Sequence, residues 1–181
     1  GKEEHPVGIP LDDTVPERPE TGYGAAKLCA GRLSRILCES LGMRHVWTRF
    51  LSVYGPFDNS YTMVMSGIYR MLRGESPDYT KGEQMWDYIY SEDAARAMYL
   101  AAVYGRDQAV YCIGSGTARP LASYICRIRD AAAPGREIRI GKLPYPPGQV
   151  MYLCANISKL TEDTGFEPEI SFEEGIRRTV D

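Results

Sequence analysis

Strand-like and helix-like segments alternate along most of the 181-residue chain, and this alternation constrains the fold more than any other feature. Short runs of β-branched and aromatic residues predict strands, whereas apolar residues at steps of three and four predict helices. Strands are predicted over 45–50, 85–90, 109–113 and 138–140, and helices over 21–42, 61–73, 94–104, 120–131, 156–163 and 172–180. Alternation of this kind indicates an α/β fold.

The connections between these segments are rich in turn-forming residues. Residues 1–20 contain four prolines and are predicted to be extended and irregular, because proline removes a donor and biases its predecessor away from helix. Turns are predicted over 53–59 and 143–148. Residues 91–93 are expected to cap the helix over 94–104, with their acidic groups at its positive end.

Composition excludes several classes of function. Twenty-one basic and 24 acidic residues give a net charge of −3, so the chain is not predicted to bind nucleic acid. No apolar run approaches the ~20 residues that a membrane span needs, and no membrane partner is predicted. The five cysteines form no Cys-x-x-Cys pair and only two histidines accompany them, so no metal site is expected. Scattered, reduced thiols are typical of a cytoplasmic protein.

Tyr23 and Lys27 are the pair with the clearest chemical potential. Residues four apart lie on the same face of a helix, so the phenol and the ammonium group are neighbours. A cation one turn away stabilises a phenolate, and the pair can then exchange a proton with a substrate hydroxyl, as alcohol oxidation requires. The spacing alone is equally compatible with an exposed tyrosine beside a solvated lysine.

Several motifs in register carry a resemblance to a known family. The chain resembles the extended short-chain dehydrogenase/reductases, and within them the NAD-dependent epimerase/dehydratase group that acts on nucleotide sugars. The motifs are Tyr23-x-x-x-Lys27, residues 49–56 (RFLSVYGP), residues 87–95 (DYIYSEDAA) and a C-terminal signature over 156–160, 164–168 and 172–176.

The resemblance covers only the second half of the family's usual length. It implies the C-terminal part of a Rossmann-like doubly wound sheet with a small mixed α/β substrate-binding region. Residues 1–60 would complete the Rossmann unit and 61–181 would mainly bind substrate, with the strand near 85–90 and the helix near 94–104 returning to the Rossmann sheet. The sequence contains no glycine-rich pyrophosphate turn, so NAD or NADP would be held mainly by upstream residues, and the chain alone is expected to be an inactive fragment.

The resemblance also implies roles for individual residues. Tyr23 would be the acid/base, and Lys27 would hold the nicotinamide ribose. The cofactor would be bordered by Phe50, Leu51, Ser52 and Val53, and the substrate would be contacted by Ser52, Tyr54, Trp86 and Arg119.

Three departures from the family pattern bear on the substrate. Trp86 stands where the family usually has a phosphate-binding arginine, residues 146–149 contain no arginine, and Ser52 replaces a common asparagine. Trp86 can stack on a ring of the substrate or can simply pack in the core.

Three functions therefore stay open, and one mode of assembly is implied. The first is an NAD(P)-dependent epimerase or dehydratase of a nucleotide sugar; the others are a reductase of a non-nucleotide carbonyl and a non-catalytic binding module. The resemblance also implies a homodimer through helix 21–42, which has apolar residues on two faces. One stripe contains Leu28, Cys29, Arg32 and Ile36, and the other contains Ala26, Ala30, Leu33 and Leu37.

Overall fold

A computed structural model describes residues 8–181, so predictions for the first seven residues lie outside the described part of the chain. Within 8–181 the chain forms six helices and seven short strands. The helices are α1 (Gly22–Ser40), α2 (Met63–Leu72), α3 (Ser91–Tyr104), α4 (Leu121–Ala132), α5 (Ser158–Thr164) and α6 (Phe172–Val180). The strands are β1 (Trp47–Phe50), β2 (Ser52–Tyr54), β3 (Met85–Trp86), β4 (Tyr88–Tyr90), β5 (Val110–Ile113), β6 (Arg119–Pro120) and β7 (Tyr152–Leu153). The predicted α/β class is confirmed.

Two parallel strand pairs form the part of the fold that resembles a Rossmann sheet. β1 pairs with β5 from Trp47↔Val110 to Phe50↔Ile113, and β2 pairs with β4 from Ser52↔Tyr88 to Tyr54↔Tyr90. Gly31 of α1 lies against the ring of Trp47, whereas the cluster that contains α3 includes Val46. Because neighbouring residues of an extended chain point to opposite sides, α1 and α3 cover opposite faces.

A mixed sheet of order β6-β3-β7 lies beside these pairs. β3 runs antiparallel to β6, with Trp86 opposite Arg119, and parallel to β7, with Trp86 opposite Leu153. The single strand predicted over 85–90 is therefore two strands in two sheets, and the break falls at the fully buried Asp87.

Three further local predictions are wrong in part. Residues 91–93 form the first turn of α3 rather than a cap before it, and Tyr90 is the N-cap. Residues 53 and 54, predicted to begin a turn, belong to β2. The strand predicted over 138–140 is reduced to an isolated bridge between Asp78 and Arg139, and the short β7 was not predicted.

Two apolar clusters hold the described fold together, and β4 contributes to both. Tyr90 packs with α2, α4 and α6 in a cluster rich in aromatic rings, which also contains Tyr54, Tyr124 and Phe172. Ile89 faces a second cluster formed mainly by α3, β5 and α5. The alternation of side chains along a strand thus divides the core in two. No helix in residues 8–181 is long and apolar enough to cross a membrane.

Helix α1 is distinct because none of its residues, all of which the structure describes, is fully buried. The half-buried stripe that faces β1 consists of Leu28 and four residues with small side chains or none, namely Gly24, Gly31, Ser34 and Cys38. This differs from both apolar stripes seen in the sequence. Leu33, Ile36, Leu37 and Leu41 are each more than half exposed.

Candidate functional site

Tyr23 and Lys27 lie in the first two turns of α1, on one exposed face. Thr21 caps the helix by accepting a hydrogen bond from the amide of Gly24 at 3.1 Å. The ammonium nitrogen of Lys27 lies 5.6 Å from the centroid of the Tyr23 ring, and Tyr23 is 74 % exposed. The two groups are therefore adjacent and accessible to a ligand, as proton exchange with a substrate requires.

A cleft of about 340 Å³ opens beside the ends of β1 and β5. Residues 49–52 and Cys112 line one side of it, and Leu11, Asp12 and Val15 line the other, together with Leu153. The carboxyl ends of parallel strands are the usual place for a ligand in an α/β sheet. The cleft therefore has the position expected of a binding site.

Of the four residues expected near a nicotinamide ring, three line this cleft and one does not. Phe50, Leu51 and Ser52 line it, and Phe50 is 42 % exposed. Val53 instead packs against the cluster around α3 and β5. The amide of Leu51 donates to the carbonyl of Ile113 at 3.0 Å, which continues the β1–β5 pairing to the edge of the cleft.

The charged groups that line the cleft, Arg49 and Asp12, already have hydrogen-bond partners within the chain. Arg49 donates from Nη1 to the carbonyl oxygen of Asp12 at 3.2 Å and from Nη2 to Glu17 Oε1 at 2.5 Å. The side-chain and backbone hydrogen bonds from Thr14 lower the pKa of Asp12, so this carboxylate is charged at neutral pH. Burial raises the pKa of the Cys112 thiol to about 11, so the thiol is neutral.

Three of the residues expected to contact substrate lie side by side. Trp86 donates from Nε1 to Ser52 Oγ at 2.8 Å, and its strand partner in β6 is Arg119. Arg119 extends toward a second cleft, also about 340 Å³, which the aromatic rings of Tyr88, Tyr124 and Phe172 line. Its guanidinium donates to Glu173 Oε1 at 3.2 Å.

Tyr54 lies apart from these residues. It is only 2 % exposed, and its hydroxyl donates to the carbonyl of Phe172 at 3.2 Å. Burial raises the pKa of Tyr54, so the phenol stays neutral. Its side chain belongs to the aromatic core and not to the lining of either cleft.

The turn after β5 has the Gly-x-Gly form of a phosphate-binding turn, but its amides have an internal partner. Asp87 Oδ1 accepts from Ser115 N at 2.8 Å and from Ser115 Oγ at 2.6 Å. Asp87 Oδ2 accepts from Gly116 N at 3.1 Å and from Ala155 N at 3.0 Å. A β-carbon on Gly114 would lie 2.5 Å from the same Oδ2 atom, which explains the glycine. The turn therefore binds a carboxylate of the chain itself.

Sequence reasoning missed much of the first cleft. Arg49 belongs to one of the family motifs but had no predicted role, and Leu11, Asp12, Val15, Cys112 and Leu153 were not singled out. The alternation in 45–50 places Arg49 on the face of Trp47, but the pairing with residues 12 and 17 depends on how an irregular segment folds back. Local patterns do not encode that contact.

Known proteins similar to this chain match it over most of its length. A dTDP-glucose 4,6-dehydratase of Shigella flexneri is 28 % identical over an alignment 181 positions long, which covers 96 % of this chain and 50 % of that protein. The solved UDP-N-acetylglucosamine 4-epimerase of Methanobrevibacter ruminantium M1, in complex with UDP-N-acetylmuramic acid, is 28 % identical with a TM-score of 0.85; the match covers 96 % of this chain and 57 % of that one. The UDP-glucose 4-epimerase of Thermus thermophilus, in complex with NAD, is 28 % identical with a TM-score of 0.82, over 98 % of this chain and 58 % of that one.

The chain thus spans about half the length of the curated relatives it matches. The model of the NAD-dependent epimerase/dehydratase family matches residues 1–114, which include the Tyr23–Lys27 pair, the strand residues of the first cleft and the start of the turn after β5. The protein therefore belongs to the NAD-dependent epimerase/dehydratase family.

Proposed function

We propose that this chain is the C-terminal portion of an NAD(P)-dependent enzyme that acts on a nucleotide-activated sugar as an epimerase or dehydratase. The observation that carries the proposal is the exposed, adjacent placement of Tyr23 and Lys27 on α1. The relatives named above, one solved with a nucleotide sugar and one with NAD, support it. Oxidation at a sugar carbon requires a group that takes up the hydroxyl proton, and Tyr23 is that group in this proposal.

The residues present fit the nicotinamide end of the cofactor. Lys27 lies beside Tyr23 and in this proposal would hold a ribose hydroxyl, and Phe50 and Leu51 offer apolar surface at the cleft. When bound, NAD(P) accepts and returns the hydride. The side chains of this chain orient the sugar, move its hydroxyl proton at the Tyr23 oxygen, and exclude water at the cleft wall. The pyrophosphate would be held upstream, since no glycine-rich turn of the required form occurs in the sequence.

Two substitutions in the full-length enzyme of which this chain would be a part, which we call the parent, test the roles of Tyr23 and Lys27. Tyr23→Phe should lower turnover of a UDP- or dTDP-sugar by roughly 10²–10⁴-fold, because it removes proton transfer, while NAD affinity stays nearly unchanged. Lys27→Ala should lower both turnover and NAD affinity. Equal, small effects of both changes would mean that Tyr23 and Lys27 are neighbours on the surface without a catalytic role.

The 181-residue chain alone should show no turnover and bind NAD weakly, and a micromolar dissociation constant by calorimetry would contradict this.

A second candidate, a reductase of a non-nucleotide carbonyl, is favoured by the surroundings of Trp86. Its indole is bonded to Ser52, and the cleft cation Arg49 is paired with Glu17, so these groups offer a diphosphate no free positive charge. Calorimetric titration of the parent with UDP and dTDP distinguishes the candidates. Binding that strengthens in a Trp86→Arg variant would favour nucleotide sugars, whereas no binding to either protein would favour the reductase.

A further inference from the structure

The irregular segment before α1 folds back over the sheet and forms one wall of the first cleft. We call residues 11–17 the strap. At its start, the amide of Leu11 donates to the carbonyl of Cys154 at 2.7 Å, and the amide of Asn156 donates to the carbonyl of Leu11 at 2.8 Å. Asp13 Oδ2 adds an ion pair with the ammonium group of Lys159 at 2.5 Å. The strap is thus fixed at one end to the segment that follows β7.

The other end of the strap depends on Arg49. This side chain projects from β1, opposite Cys112 of β5, and is 24 % exposed. Its guanidinium bonds to the backbone carbonyl of Asp12 and to the carboxylate of Glu17, two points five residues apart. A planar guanidinium presents several donors in a rigid fork, so one side chain can fix two points of a loop at once.

The strap leads directly into the helix that carries the proposed acid/base. Only residues 18–22 separate Glu17 from Tyr23. Pro19 in this link has a fixed φ, and its ring packs so closely on Gly24 that a β-carbon there would lie 3.0 Å from Pro19 Cβ. A displacement of Glu17 is therefore transmitted to the start of α1 through a short, stiff connection.

We propose that Arg49 is a positioning residue: by holding both Asp12 and Glu17, it sets the cleft wall and the position of Tyr23 relative to the strand ends. The expected effect on catalysis rests on the proposed function, whereas the expected effect on the strap does not. The guanidinium of Arg49 and the carboxylate of Glu17 both reach solvent, at 24 % and 37 % exposed, and an ion pair in contact with water contributes little to global stability, so the loss of Arg49 should be felt mainly in the geometry of the site. Misplacement by about 1 Å can cost roughly 10²-fold in rate.

The test uses Arg49→Met, Glu17→Gln and the double variant in the full-length parent. Arg70→Met is the control, because it breaks another Arg–Glu ion pair, the more exposed Arg70–Glu75 pair, far from the strap in sequence. We expect each strap variant to lower kcat/KM by about 10- to 100-fold, with the double variant no worse than Arg49→Met alone. The urea midpoint should stay within the change seen for Arg70→Met.

Hydrogen exchange supplies a readout that does not need activity. The hydrogen-bonded amides at the strap, those of Leu11, Thr14 and Asn156, should exchange faster in Arg49→Met and in Glu17→Gln, and remain unchanged in Arg70→Met. Unchanged exchange would overturn the proposal, as would faster exchange with normal kcat/KM in an active parent. Multiplicative losses in the double variant would also overturn it, since Arg49 would then act independently of Glu17. If the wild-type parent shows no activity, the proposed function fails, while the exchange data still decide whether Arg49 holds the strap.

Discussion

The indole N–H of Trp86 donates a hydrogen bond to the hydroxyl oxygen of Ser52 at 2.8 Å, and this bond links the mixed sheet to the parallel pair β2–β4. Trp86 also accepts a hydrogen bond at its carbonyl from the Tyr124 hydroxyl at 3.0 Å. The indole and the backbone carbonyl of Trp86 therefore both connect β3 to its surroundings. In the proposed enzyme the same indole would border the substrate, so structural and binding roles meet in one side chain.

The Trp86–Ser52 bond should be measurable by a double-mutant cycle on unfolding. Trp86→Phe removes the donor and Ser52→Ala removes the acceptor, so the two effects should be coupled by about 1 kcal/mol. Urea denaturation of the single and double variants gives this coupling. The chain's other tryptophan, Trp47, is the control, because Trp47→Phe combined with Ser52→Ala should be additive. Additive free energies for the Trp86 pair would show that the bond contributes nothing in solution.

Asp87→Asn should destabilise the fold more than any exposed carboxylate change. The fully buried carboxylate accepts from Ser115 with one oxygen and from Gly116 and Ala155 with the other. An amide would direct its NH₂ group at donors, whichever way it is oriented, so we expect a loss of about 2–4 kcal/mol in unfolding free energy. Asp130→Asn, on the exposed face of α4, is the control and should change it by less than about 0.5 kcal/mol. Equal effects from the two changes would contradict the role of Asp87.

Glu174 should make the stability of α6 depend on pH in the acid range. Hydrogen bonds from Arg177 and Arg178 lower the pKa of Glu174 from 4.5 to about 2. Since the folded pKa is depressed, the stabilisation is fully present above about pH 4.5 and is lost as the pH falls toward 2. Urea denaturation should therefore separate wild type from Glu174→Gln at pH 7, and the difference should vanish near pH 2. A pH-independent difference for Glu174→Gln would refute the linkage.

The elements that sequence patterns predicted well are those whose signal is local. Helices α2 and α6 show clear three- and four-residue periodicity, and Tyr23 and Lys27 share a face because helical geometry alone requires it. The split of 85–90 could not be predicted, because an alternating run does not reveal that Asp87 is buried by donors 28 and 68 residues away. The cleft wall was missed for the same reason, since the position of the strap depends on Arg49, 32 residues beyond Glu17.

Helix α1 presents an exposed apolar face, which is the candidate surface for the proposed homodimer. Leu33, Ile36, Leu37 and Leu41 are 61 %, 63 %, 57 % and 61 % exposed, and their spacing places them on one side of the helix. An apolar stripe of this size is unfavourable in water unless it is covered, and a two-fold axis would let each copy cover the other. Ile36→Glu with Leu37→Glu should therefore convert a dimeric parent to monomer in sedimentation at tens of micromolar.

Glu39→Lys changes the charge of the same helix by as much, at an exposed position outside the stripe of Leu33, Ile36, Leu37 and Leu41, and is the control for this experiment. It should leave the dimer intact, and both proteins should retain the α-helical signal in circular dichroism, because neither change touches the stripe that packs on β1. A wild-type parent that sediments as a clean monomer would rule out the dimer. A parent that stays dimeric with both glutamates present would place the interface elsewhere, since two buried carboxylates at a symmetric contact repel their counterparts and lose their hydration.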